Sequence, residues 1–538
     1  MRSTTLLSVA SLASVCLVSS GYGCGSSNSN SPGGDGGTGN ETSSGSSSGS
    51  GSSSGGLPGD DGGGEGGDDG ATPCTLMPAG NLVLATKTQS VYTITSDNQV
   101  VLYDWNGLTL SAVPLAGGTA TMIGPYNSAQ DFFGVSGSAV TLVQGATQSA
   151  PYGKLTVWTA AGGAKQIGTK TLAGTPGSGA LDVSSDGKYI LYTDNATATT
   201  VDIIVAGIDG SNPVKLNGNT PVSYGSTCAP VMYFAGDDAV VSYCTAQPDG
   251  GTLAASVTAF SGAPTYMTQK NFVNGAAANF VAGYPASGGT IVAFITSAGL
   301  QVESIAQSVT NPTVIDANGV NGFFNHAGTG MIYFDKAGSI WTASVTTPTP
   351  GELVAGPVFG TLALSADDKW LEFSKAQNST TMLNDMYLVS TTASGADGGN
   401  AVTTLDSAQD GANFGDAFTA DNLHATFYTA VNSNGTGNFL NLGLPPSGMA
   451  KSITMTGWVG YATSAAKVVY SDNWVNATGS FHGWADIHSV DLAGTAAPAP
   501  VVASADADFF VTTDKSKLVY SWHACPGAAE GVYSIAAP

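Results

Sequence analysis

Basic residues are scarce. Only 15 lysines and arginines stand against 38 aspartates and glutamates in the 538-residue chain, a formal charge of −23. That balance leaves no cationic surface to neutralise phosphates, and it excludes nucleic acid as a partner. Charged residues of both signs make up 10% of the chain, against about 25% in a typical soluble protein. Long amphipathic helices draw on Glu, Lys, Arg and Leu at helical spacing. Their shortage, beside abundant Gly, Ser, Thr and Ala, favours short strands and tight turns. Catalytic signatures are equally thin. The five histidines form no Ser–His–Asp set, no Cys-x-x-Cys pair is present, and no phosphate-cradling glycine loop precedes a helical pattern. Gly45-Ser46-Ser47-Ser48-Gly49 matches a hydrolase elbow only through low complexity, with no strand before it or helix after it.

What is present begins with an export pattern. Met1-Arg2 and the apolar run Leu6 to Val18 have the charge, length and position of a secretory leader, and the run is too short to span a bilayer. It is followed by Gly21-Tyr22-Gly23-Cys24-Gly25, which resembles the bacterial lipobox. That resemblance makes Cys24 the lipidated mature N-terminus, with an ordinary cleaved leader as the alternative. From Gly25 to about Gly70 the chain is Gly and Ser with scattered acids. Such a coil holds the folded part about 35–40 Å from its anchor. The expected organisation is therefore a signal peptide over 1–23, a disordered Gly/Ser-rich acidic linker over 24–73, and a folded part over 74–538.

The folded part repeats. Leu181-Asp182-Val183-Ser184-Ser185-Asp186-Gly187-Lys188-Tyr189-Ile190-Leu191-Tyr192 reads as two strands around an Asp-Gly turn, the strongest local hairpin signal. Val201–Val205 and Val214–Leu216 continue the unit. The same frame returns at Leu362–Phe373, Phe418–Tyr428 and Ala485–Leu492. Weaker copies place first turns near Asp97, Gly137, Asp237, Gly288, Thr329, Ala465 and Lys515. This makes about ten repeats of roughly 46 residues, the length of a propeller blade.

These segments resemble the TolB-type propeller repeat, with its Ser-x-Asp-Gly-Lys turn and an Asp-Ile-Tyr opening to the third strand. The resemblance implies an all-β propeller of tandem four-stranded blades, arranged as one large ring, as fewer blades with extra hairpins, or as two rings. Members of that group are mainly extracytoplasmic or interaction modules, and some carry separate hydrolase domains, for which no segment of this chain is suited. The last repeat supplies Phe509–Thr513, Lys517–Trp522 and Gly531–Ile535, one strand short of a blade. Asn81–Thr88 is expected to fill the gap, closing the ring and removing its open edges.

Removal of the leader and acylation of Cys24 leave Cys74, Cys228, Cys244 and Cys525, an even number suited to an oxidising compartment. Cys228 and Cys244 flank one hairpin turn. Cys74 precedes the closing strand and Cys525 lies in the blade it completes. Two bridges on that plan would each contribute about 2–4 kcal/mol.

The one histidine cluster is Phe481-His482-Gly483-Trp484-Ala485-Asp486-Ile487-His488. A strand's period of two puts His482, Asp486 and His488 on one face, where they are candidate metal ligands. The plainer alternative is that Asp486-Ile487-His488 merely occupies the Asp-Ile-Tyr position of the repeat. Turn acids such as Asp186, Asp367 and Asp421 are expected to bond their own turns. Trp370 is expected to pack between blades, whereas Trp458 and Trp474 fall near strand ends, where an aromatic side chain can line a binding mouth. No cofactor is called for. The expectation is a non-enzymatic binding or scaffold module of a bacterial envelope, with an envelope protein or glycan as partner and membrane contact only through the lipid anchor. The alternative is an extracytoplasmic metal-assisted lyase or hydrolase with its site in the channel.

Overall fold

The computed structural model describes residues 77–538 apart from 129, 148–149, 178, 225–228, 246–253, 275–278, 286–289, 308–310, 393–400, 465–466, 476–483, 494–496, 507–508 and 525–528. The described residues belong to one compact unit, and their regular structure is all strand. Consecutive antiparallel strands form successive units over residues 89–125, 132–172, 181–215, 231–274, 279–316, 319–354 and 360–411. Residues 181–215 and 231–274 are joined into one larger sheet by the short strand Val222–Ser223. Two more units are fused through Lys451–Ser464. This strand pairs with Thr436–Gly443 at one end and Lys467–Val475 at the other, so it is the outer strand of one unit and the inner strand of the next. The last sheet combines Phe509–Val511, Lys517–Trp522 and Gly531–Ala536 with Asn81–Ala85. The N-terminal strand thus completes the C-terminal unit, with Leu84 opposite Val532.

Packing decides how these units are arranged. Ten clusters of buried side chains lie among the described residues, and each is shared by two consecutive units. Val101 and Leu110 meet Val140 and Leu142 across the first seam. Val91, Val100 and Leu102 meet Val519 and Val532 across the last. The circuit therefore returns to its start, which makes it a single ring rather than two. The fold is a ten-bladed β-propeller.

A hairpin device recurs at the first turn of five blades. Thr95, Ser184, Ser365, Thr419 and Thr512 each donate a hydroxyl to the aspartate two residues on, at 2.5–2.8 Å. The same oxygen accepts the backbone N–H that opens the second strand, from Gln99, Tyr189, Trp370, His424 and Lys517. The aspartate is fixed in turn by an N–H two residues further on, as from Lys188 to Asp186 at 3.0 Å. This Asx-type bonding explains why Ser/Thr-x-Asp marks the start of a blade. Several turns also hold their neighbours. Asp368 accepts the backbone N–H groups of His326 and Ala327 in the preceding blade, and Asn422 accepts from Ala366. Between the fourth and fifth blades the buried Glu303 pairs with Lys270 at 2.7 Å, and the Lys270 ammonium also donates to two carbonyl oxygens.

Candidate functional site

The first strands of consecutive blades approach one another, as Val231–Ala235 does Asn279–Tyr284 and Phe509–Val511 does Gln89–Ile94. They form the inner edge of the ring. Among the described inner strands the one acid is Asp182, which is buried with its carboxylate accepting the N–H groups of Val183 and Phe234. Tyr92 and Phe132 stand 41% and 42% exposed on this edge. In a chain of charge −23 the described inner strands thus carry a single acid, itself buried.

The sequence candidates converge on the eighth and ninth blades. Trp458 sits where Lys451–Ser464 passes from one blade to the next, beside a break in register between Gly457 and Tyr461. Trp474 follows Asn473, whose φ of 54° accompanies a bulge between Asp472 and Val475. Bulges re-aim side chains and gather near functional sites. Here the two irregularities bring the indoles of Trp458 and Trp474 into a stack, with centroids 3.8 Å apart and planes 20° from parallel. Both rings are half-buried, and the Trp458 indole nitrogen has no hydrogen-bond partner among the described residues. Thr456 donates to Asn473 at 3.3 Å, and Asn473 donates to Asp486 at 3.1 Å, forming a polar border. Beneath it, Phe439 stacks on Tyr428 and on Tyr461.

Asp486 and His488 do share one face of Trp484–Val490, which alternates half-buried and buried along its length. Each has a partner within the protein. Asp486 also accepts the N–H of Ser504 at 3.0 Å, and His488 lies 2.9 Å from Asp472, an ion-pair distance. Burial raises the Asp472 pKa, with His488 acting against the shift. His482 lies outside the described residues, and among the described residues no three His, Cys, Asp or Glu side chains converge as metal ligands. Cys244 is disulfide-bonded, whereas Cys24, Cys74, Cys228 and Cys525 lie outside the described residues. Trp370 packs into the seam between the seventh and eighth blades, as its place within a strand leads one to expect.

Glu372 was not singled out by its sequence context. It is wholly buried in the seventh blade, and desolvation pushes its pKa up to about 8 against the Asn413 hydrogen bond. Tyr461 donates to the Thr426 carbonyl oxygen at 2.9 Å and to Asn413 at 3.2 Å, so one polar network links the seventh, eighth and ninth blades under the aromatic site.

No protein-family model matches the sequence, and no curated protein is significantly similar to it. Solved structures do resemble it. A eukaryotic initiation factor aligns with TM-score 0.43 and 10% identity over 69% of this chain and 89% of that one. An oligogalacturonate lyase of Vibrio parahaemolyticus gives 0.34 and 11% over 64% and 95%. TolB of Agrobacterium tumefaciens gives 0.23 and 16% over 50% and 94%. Similarities this distant assign neither activity nor ligand.

Proposed function

We propose that this chain is an exported, lipid-tethered propeller of the TolB-repeat kind that binds an envelope protein or glycan without transforming it. Its leader would end at Cys24, its Gly/Ser spacer would hold the ring away from the membrane, and cystines pairing Cys228 with Cys244 and Cys74 with Cys525 would suit the oxidising compartment. The observation that carries the binding reading is the half-buried Trp458–Trp474 stack, bordered by amide, hydroxyl and carboxylate groups. Recognition sites combine apolar rings with a few placed polar groups in this way. Among the described residues around it, Asp486 is held by Asn473 and Ser504 and His488 lies against Asp472.

The test is crosslinking capture by the full chain, exported into a native bacterial envelope, with mass spectrometry and metal analysis of the same sample. A saturable partner without stoichiometric metal is the expected result. No partner, together with one tightly held metal per chain, would overturn the proposal in favour of a metal-assisted lyase or hydrolase.

A further inference from the structure

We infer that the Trp458–Trp474 stack is a subsite for a neutral glycan, with a pyranose ring resting on the indole platform. This rests on the binding reading above and names the class of ligand. In a face-to-face indole pair each ring covers one face of the other, so a ligand would meet a single flat outer face rather than the several walls of a cage. The C–H face of a pyranose is the complementary shape, and its hydroxyl groups require short polar side chains at the border.

Those side chains are present. Thr456, Asn473 and Asp486 form one hydrogen-bonded row beside Trp474. Thr456 and Asn473 are exposed, so their remaining donors and acceptors face solvent. A hydroxyl, which donates and accepts at once, suits a border that mixes amide and carboxylate groups.

Charge narrows the class further. No lysine or arginine occurs from 452 to 466 or from 468 to 514, which covers nearly all of the strands that carry the platform. Asp472 and Asp486 lie within that stretch. An anionic sugar would therefore meet carboxylates without a compensating cation. Size argues against a protein docked here alone, because two half-buried rings offer far less than the ~800 Å² per partner of a stable protein interface.

The experiment uses the full chain with soluble oligomers of glucose, mannose, xylose and N-acetylglucosamine, each titrated against tryptophan fluorescence and checked by calorimetry. Polygalacturonate and choline serve as anionic and cationic controls. Saturable binding of at least one neutral oligomer is expected, weakened about tenfold or more by Trp474→Ala and largely retained by Trp474→Phe. Unfolding curves of both variants confirm that the ring is intact. If Trp474→Ala unfolds the protein, Asn473→Ala is the substitute, with an expected loss of about threefold or more. Neutral oligomers that fail to bind, or bind equally well to every variant, overturn the inference, as does a preference for polygalacturonate or choline. In those cases an envelope partner still captured by Trp474→Ala would leave the binding reading standing, whereas failure of all capture would remove both.

Discussion

Asn413, in the segment that leads from the seventh blade into the eighth, donates its side-chain amide to the wholly buried carboxyl group of Glu372. One carboxyl oxygen is thereby satisfied, and the other has no partner among the described residues. A carboxylate so placed is costly, and burial accordingly raises its pKa from 4.5 to about 8. The folded state therefore binds a proton that the unfolded chain releases. The contribution of the neutral group is complete below its unfolded pKa and is lost as pH rises through about 8, because stability falls wherever the unfolded state binds fewer protons.

Glu372→Gln is expected to keep a neutral hydrogen-bonding group and remove this liability. Unfolding in urea at pH 5 and pH 9 checks it. The variant should gain on the order of 2 kcal/mol or more over the parent at pH 9, with little difference at pH 5. An equal effect at both values would show that Glu372 titrates normally.

The hairpin device makes a separate prediction. Asp367 accepts from the Ser365 hydroxyl and from the Lys369 N–H. Asp367→Ala is expected to cost about 1 kcal/mol, the value of a typical intramolecular hydrogen bond, read as a lower urea midpoint with an unchanged slope. The device also titrates. Burial raises the Asp367 carboxyl, but hydrogen bonds from Lys369 and Ser365 outweigh it and leave its pKa below the ordinary 3.8. Asp514 is lowered chiefly by its hydrogen bond from Thr512. Folded pKa values below the unfolded ones give stability that is whole above pH 3.8 and lost as pH falls through the lowered values. Acid unfolding of Asp367→Ala should therefore be shallower than that of the parent below pH 4.

Local chemistry made much of this architecture legible. The Ser-Ser-Asp-Gly-Lys and Ser-Ala-Asp-Asp-Lys turns are hairpins by their own hydrogen bonds, independent of tertiary context, so they can be read one at a time. The closing strand was legible because three strands at one terminus leave an edge that a fourth must cover. What escaped depends on the ring. In Trp370–Ser374, alternation would put Glu372 opposite Leu371 and Phe373 and out in water. A middle strand of a blade is covered on both faces by neighbouring blades, and Leu371 through Ser374 are all buried. Glu303 was overlooked for the same reason within Gly299–Ser304. Trp474 is the strand-end aromatic that its sequence context suggests, whereas Trp458 falls inside Lys451–Ser464. Their stacking was not legible, because it depends on two irregularities in separate strands whose alignment only the assembled sheet fixes.

The most direct test of the closed single ring is a pair of cysteines, Leu84→Cys and Val532→Cys, placed at positions that face each other where the first strand joins the last blade. The full chain carrying both is oxidised, and its disulfides are mapped by peptide mass spectrometry after separation of monomer from oligomer. The ring predicts an 84–532 bridge within monomers, in addition to the disulfide at Cys244. Bridges found only between chains, or none while the protein remains folded, would contradict closure by the N-terminal strand.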